Sequence, residues 1–221
     1  MSDPIQRTLA QRYGYHLSRY AAQLLVVSIS GLRCEGRYHV PKTGPVLVCS
    51  NHQSFFDPVL IGLGCRRRLN FLARNTLFNH RLFGQLIRFF DAIPIERDGM
   101  GISGIKETIK RLRRDEMVLM FPEGTRTPDG EFQALRPGFC SLARRGETTL
   151  QPVALDGAYQ CWPRQARYPK LGRLAIVFGP PLKPADFADW NNDQLLAELA
   201  HRMQVCHQRA RHLRSLGPLA P

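Results

Sequence analysis

Apolar positions at the start of the chain, Ile5, Leu9, Tyr13, Leu17, Tyr20 and Leu24, recur at spacings of three and four. That is one face of a helix. Arg7, Arg12 and Arg19 lie among its polar residues. The pattern then changes. Val46-Leu47-Val48-Cys49-Ser50 is a largely apolar run of strand length, the mark of a strand buried on both faces. Similar runs occupy 69–73, 118–121, 153–155 and 174–178. A short strand is expected over 35–40, before the turn Pro41-Lys42-Thr43-Gly44-Pro45. Helical segments are expected between the runs, at 80–90, 102–114 and 137–145. A last helix is expected from about 192 to 214, with Leu195, Leu199, Met203, Cys206, Ala210 and Leu213 as its apolar stripe. Its other faces carry Arg202, Arg209, Arg211 and Arg214.

Strands alternating with helices predict the α/β class. The expected architecture is a mixed, mostly parallel central sheet flanked by helices, with amphipathic helices at the N- and C-terminal ends. Residues 35–182 would form the compact unit. For the two terminal helices there are two readings. Each apolar stripe packs on the sheet, or the N-terminal one also touches a membrane surface. The most apolar early stretch, 20–32, holds Gln23, Ser28 and Ser30 and falls short of the ~20 apolar residues needed to span a bilayer. The polar first ten residues do not read as a signal peptide.

Length and composition narrow the function. The chain has 221 residues, enough for one domain with a real core. Hydrophobic residues at 43% and charged residues at 22% exclude wholesale disorder. Lys and Arg number 31 against 18 Asp and Glu, a net charge of +13 that favours anionic partners. Nucleic acid, an anionic membrane surface and phosphate-bearing small molecules all qualify. A nucleic-acid-binding module is disfavoured by the lack of a recognisable motif and of interleaved aromatics for stacking. The six cysteines, Cys34, Cys49, Cys65, Cys140, Cys161 and Cys206, are scattered, with no zinc spacing, and read as free thiols.

The candidate chemistry sits at strand ends. Asn51-His52-Gln53-Ser54-Phe55-Phe56-Asp57-Pro58 follows the 46–50 run directly. Crevices at the carboxyl ends of strands are where α/β sheets hold their sites. Imidazole suits proton abstraction near neutrality, and a carboxylate on the ring's far nitrogen fixes its tautomer. Positions five apart on a helix are rotated by about 140° after wrapping, so His52 and Asp57 meet only where the chain turns. Asp57 is then the N-cap of a helix starting at Pro58, or Ser54 caps and Asp57 falls in the first turn. A second signal is Phe121-Pro122-Glu123-Gly124-Thr125-Arg126. Gly124 permits close backbone approach, Thr125 adds a hydroxyl, and Arg126 offers a planar fork for phosphate oxygens. A third is Ile93-Pro94-Ile95-Glu96-Arg97, with Arg97 a second phosphate ligand or a surface ion pair with Glu96. Gly99-Met100-Gly101-Ile102-Ser103-Gly104 has dinucleotide spacing, but Glu96, Arg97 and Asp98 separate it from the preceding apolar run.

Taken together and in order, the His52-x4-Asp57 pair, Ile95-Glu96-Arg97, Phe121 to Arg126 and Pro152-Val153-Ala154-Leu155 resemble the glycerolipid acyltransferases, closest to the 1-acylglycerol-3-phosphate acyltransferases. The resemblance covers about 45–180. It implies transfer of an acyl group from acyl-CoA or acyl carrier protein to the hydroxyl of a lysophospholipid acceptor, lysophosphatidic acid by default and another lysolipid as the runner-up. It implies His52 as base and Asp57 as its orienting carboxylate. Arg97, Glu123, Gly124, Thr125 and Arg126 match the acceptor-phosphate positions, and Pro152 the acyl-donor region. No cofactor or metal is expected, and no nucleic acid. Residues 1–34 are expected to form an amphipathic membrane-surface segment. Residues 35–221 would be the catalytic domain with its basic C-terminal helix. The expected location is the cytoplasmic face of the cell membrane, peripheral or monotopic, against an anionic surface. Gln151, where relatives usually carry an aliphatic residue, and Pro94 depart from the pattern.

Overall fold

The computed structural model describes residues 13, 14, 17, 20, 30–79, 81–90, 92–95, 101–145 and 147–216. Its described strands are β1 (Arg33–Glu35), β2 (Val46–Ser50), β3 (Leu69–Arg74), β4 (Ala92–Ile95), β5 (Met117–Met120), β6 (Thr149–Asp156) and β7 (Ala175–Phe178). The helices between and after them are α1 (Asp57–Gly64), α2 (Arg81–Phe89), α3 (Gly101–Leu112), α4 (Gly138–Arg145), the short α5 (Ala158–Cys161) and α6 (Asn192–Ser215).

The strands form one sheet in the order β1-β7-β6-β2-β5-β3-β4. Every neighbouring pair is parallel except β6 and β7. The fold is therefore α/β with a mixed, mostly parallel sheet. β2 and β5 are buried along their whole length, which is why they read as unbroken apolar runs. Their side chains alternate between the two faces. Val46, Val48, Met117 and Leu119 join one core with Leu60 and Ile61 of α1. Leu47, Cys49, Val118 and Met120 join the other, with Leu112 of α3, Phe139 of α4 and Leu195, Leu199 and Met203 of α6. Cys206, Ala210 and Leu213 continue the α6 stripe onto Ala154, Ala175 and Val177. The α6 stripe is thus a packing surface. A capping box starts the helix, in which Asn191 and Gln194 exchange 2.8 Å bonds between side chain and backbone.

The strand expected over 35–40 is instead β1, which stops at Glu35, followed by a 3-10 turn over Arg37–His39. Gly36 causes the break. Its φ is +75°, and a side-chain carbon there would lie 2.0 Å from the Phe178 carbonyl oxygen. Pro94 is accommodated because β4 is the edge strand, where its missing N–H is no loss. Of the expected N-terminal apolar face, Tyr13, Leu17 and Tyr20 are helical and exposed. Ile5, Leu9 and Leu24 lie outside the described residues. Among the described residues no helix is long and apolar enough to cross a membrane.

Candidate active site

The sheet register builds the site. Cys49 of β2 lies opposite Met120 of β5 and Pro152 of β6, all parallel. The chain continuing past each strand therefore emerges on one edge. The connection from β2 runs toward β3 and that from β6 toward β7, in opposite directions, so the crevice between them is a topological switch point. His52 stands two residues beyond β2, and Phe121 to Thr127 run beside it beyond β5.

The histidine is held on every side but one. Its Nδ1 lies 2.7 Å from Asp57 Oδ2. That oxygen also accepts the backbone N–H groups of Gln53 at 2.6 Å and Ser54 at 2.8 Å. Since it accepts from both N–H groups, it serves as acceptor for the ring too, and Nδ1 carries the ring proton. The imidazole stacks on Phe121 at 3.9 Å between centroids and an interplanar angle of 11°. Its main-chain carbonyl accepts the Thr127 N–H at 2.7 Å. Its main-chain N–H donates to Glu123 Oε2 at 3.1 Å. The side chain is 20% exposed. Nε2 is the nitrogen left to face a substrate.

Asp57 is not the N-cap. Phe56 occupies that position without a side-chain cap, and Asp57 opens α1 with Pro58 beside it. The carboxylate turns back onto the 52–54 loop instead, where three donors converge on one oxygen. Ser54 does not cap either; its hydroxyl donates to the Trp162 carbonyl at 2.9 Å and accepts the Phe56 N–H at 3.3 Å. Cys49, the nearest thiol, is fully buried, and burial pushes its titration far up. All six cysteines are free. Neither thiol nor hydroxyl beside the imidazole is placed as a nucleophile.

Glu123 is 4% exposed. Its two oxygens take the His52 N–H and the Gln133 N–H, the latter at 3.2 Å. Burial raises its pKa to about 7, against the opposing pull of those N–H groups and helped by the Asp57 charge. The structure thus makes Glu123 a brace between two loops. Gly124 has φ +75°, and a side-chain carbon there would sit 2.8 Å from Arg136 Nε. Arg136 therefore lies over the turn, a cation that sequence reading missed. The Arg126 guanidinium stands 3.6 Å over the Phe55 ring. Thr125 is exposed beside it. Pro152 is buried within β6. Gln151 is fully buried and donates to the Gly179 carbonyl at 2.7 Å, tying β6 to the end of β7. Arg97, with Glu96, lies outside the described residues.

Two buried amides also escaped sequence reading. Asn51 pairs with both backbone groups of Leu155, at 2.8 and 2.9 Å. Gln53 donates to the Gly130 carbonyl at 3.0 Å and accepts from Ala158 and Tyr159 N–H at 3.1 and 3.2 Å. Together they lock the His52 loop onto the ends of β6 and the 127–133 loop. The signal was present: polar amides directly after a buried strand must find partners.

A carboxylate-tethered imidazole thus stands beside a cationic turn, with no nucleophile placed beside it. A family model described as Acyltransferase matches residues 31–156, which include His52 through Pro152, and the chain belongs to that family. It is an enzyme of acyl transfer. Similar proteins include the 1-acyl-sn-glycerol-3-phosphate acyltransferase of Bacillus subtilis (strain 168), 28% identical over 88% of this chain and 96% of that one. That of Pseudomonas aeruginosa is 29% identical over 85% of this chain and 72% of its own. The crystal structure of the 1-acyl-sn-glycerophosphate (LPA) acyltransferase PlsC from Thermotoga maritima shares the fold, with a TM-score of 0.80, 21% identity, and coverage of 96% of this chain and 86% of that one.

Proposed function

We propose that the chain acylates the free hydroxyl of 1-acylglycerol-3-phosphate to give phosphatidic acid, taking the acyl group from acyl-CoA or acyl carrier protein. The 2.7 Å His52–Asp57 contact, with Nε2 left facing outward, carries this reading. Nε2 accepts the proton of the acceptor hydroxyl as its oxygen attacks the thioester carbonyl. The new C–O bond forms, the C–S bond breaks, and the imidazolium returns the proton to the leaving thiolate. Base assistance of this kind contributes typically ~10²–10⁴-fold. Asp57 orients the ring and stabilises the transient imidazolium. Arg126, with Arg136 over the same turn and Arg97 from the second motif, takes the acceptor phosphate. Gly124 keeps that turn open and Thr125 offers a hydroxyl. Glu123 holds the turn against the His52 loop, and Pro152 belongs to the strand beneath the donor.

The exposed Tyr13, Leu17 and Tyr20, on one helical stripe, support a membrane-surface role for residues 1–34. Residues 35–221 form the catalytic domain. The enzyme works peripherally or monotopically on the anionic cytoplasmic face of the cell membrane, where its lipid acceptor resides. Thiol release from acyl-CoA and from acyl carrier protein, measured against a panel of lysolipids, tests the reading. Lysophosphatidic acid is expected to be the fastest acceptor. A lysolipid without an exposed phosphate monoester reacting faster overturns the acceptor assignment.

A further inference from the structure

We propose that the face formed by the start of α1 and the 162–173 loop is a second membrane-docking surface, taking an anionic lipid bilayer. It rests on the reading of the acceptor as a membrane lipid and adds the part of the domain that meets that membrane.

The loop's composition is one-sided. Between Gly157 and Leu174 there are four cations, Arg164, Arg167, Lys170 and Arg173, and no acid. All four are exposed. Tyr168 and Leu171, set among them, are 68% and 80% exposed. Phe55, Phe56 and Val59 add apolar surface at the start of α1. Single exposed apolar residues are ordinary, but a connected set rimmed by cations marks an interaction site.

The connection runs through Trp162. Its ring lies 4.6 Å from Phe56 and 5.9 Å from Phe55, between centroids. Its indole N–H donates to the Ala166 carbonyl at 3.0 Å. The Lys170 N–H closes the loop onto the Cys161 carbonyl at 2.7 Å. The loop is therefore fastened at its base, and its apolar tips project from a fixed platform. Ser54, two residues past His52, fastens that platform to the catalytic loop through the Trp162 carbonyl. Arg126 over Phe55 marks where the patch meets the phosphate turn.

Lipid fits this surface on two counts. Long cationic side chains reach phosphate headgroups while their stems lie along apolar surface. Aromatic rings settle at the headgroup level, and Leu171 and Phe55 enter the acyl boundary. Docked this way, an acceptor keeps its chain in the bilayer while its hydroxyl reaches Nε2.

The full chain is tested by cosedimentation with phosphatidylglycerol vesicles and with phosphatidylcholine vesicles. One variant carries Arg164→Gln, Arg167→Gln and Lys170→Gln; another carries Tyr168→Ser and Leu171→Ser. The charge variant is expected to bind phosphatidylglycerol vesicles roughly 100-fold more weakly, about five-fold per cation. The apolar variant is expected to lose about ten-fold on the same vesicles. Both keep the parent's turnover, within about two-fold, on a water-soluble short-chain lysophosphatidate and short-chain acyl-CoA. Unchanged vesicle affinity in both variants overturns the proposal. So does unchanged vesicle affinity with a raised KM for acyl carrier protein, which reassigns the loop to a protein partner. Failure of the parent on the soluble pair counts instead against the acyl-transfer reading, while the vesicle data still decide the docking face.

Discussion

Asp57→Asn separates the two services of this carboxylate, orientation and charge. In the parent, Oδ2 accepts His52 Nδ1 at 2.7 Å and two backbone N–H groups at 2.6 and 2.8 Å. An asparagine must keep its oxygen in that place, because an amide N–H₂ there would face two N–H donors. The variant therefore preserves ring orientation and tautomer. It loses the negative charge against the imidazolium that forms during transfer. With charge centres about 4 Å apart and an effective dielectric near 20, that attraction is about 4 kcal/mol, or roughly 10³-fold in rate. The assay is thiol release from acyl-CoA under saturating lysophosphatidic acid, followed with a chromogenic thiol reagent. A thermal melt beside it should move by only a few degrees, since the backbone hydrogen bonds survive. Turnover within ten-fold of the parent refutes the claim that Asp57 works by charge.

Arg126→Ala is expected to raise the acceptor KM about 10–100-fold, the loss of a charge-assisted phosphate contact, with kcat less affected; steady-state kinetics with varied acceptor decide, and an unchanged KM removes Arg126 from the phosphate site. Glu123 binds its proton more tightly folded, at about 7, than unfolded, at the ordinary glutamate value of 4.5. Its contribution to stability is therefore full below 4.5 and fades as pH rises to about 7, by roughly 3 kcal/mol in all. Glu123→Gln should flatten that limb of a denaturation-midpoint-versus-pH curve, and parallel curves for parent and variant contradict the assignment. Gln53→Ala strands the Gly130 carbonyl and two N–H groups in the interior, so chemical denaturation should show a loss of about 2–4 kcal/mol; a loss below 1 kcal/mol means that solvent replaces the amide.

The elements that sequence reading located best are those whose burial is uniform. β2 and β5 lie at the centre of the sheet and read as unbroken apolar runs. The α6 stripe, Leu195 through Leu213, packs as its period predicts. The errors lie where a single backbone angle or a tertiary bond decides. Gly36, pressed against the Phe178 carbonyl, ends β1 at Glu35, where the expected strand only begins. Asp57 reads in sequence as a cap or as a first-turn residue; it lies in the first turn, and its oxygen is claimed by three donors from the preceding loop. Glu123 reads in sequence as a partner for a substrate hydroxyl or for the histidine side of the site, and only the neighbouring strands decide that its oxygens take the His52 and Gln133 N–H groups. The bracing by Asn51, Gln53 and Phe121 depends on which strands are neighbours, and spacing along the chain does not contain the order β6-β2-β5.

The proposed reaction turns on His52 Nε2 taking the proton from the acceptor hydroxyl. Single-turnover thiol release by His52→Ala, with lysophosphatidic acid and acyl-CoA both saturating, tests it most directly. The expected rate is lower by at least ~10² and up to ~10⁴, with the acceptor still bound and the melting transition retained. A folded His52→Ala protein that releases thiol at the parent's rate contradicts it.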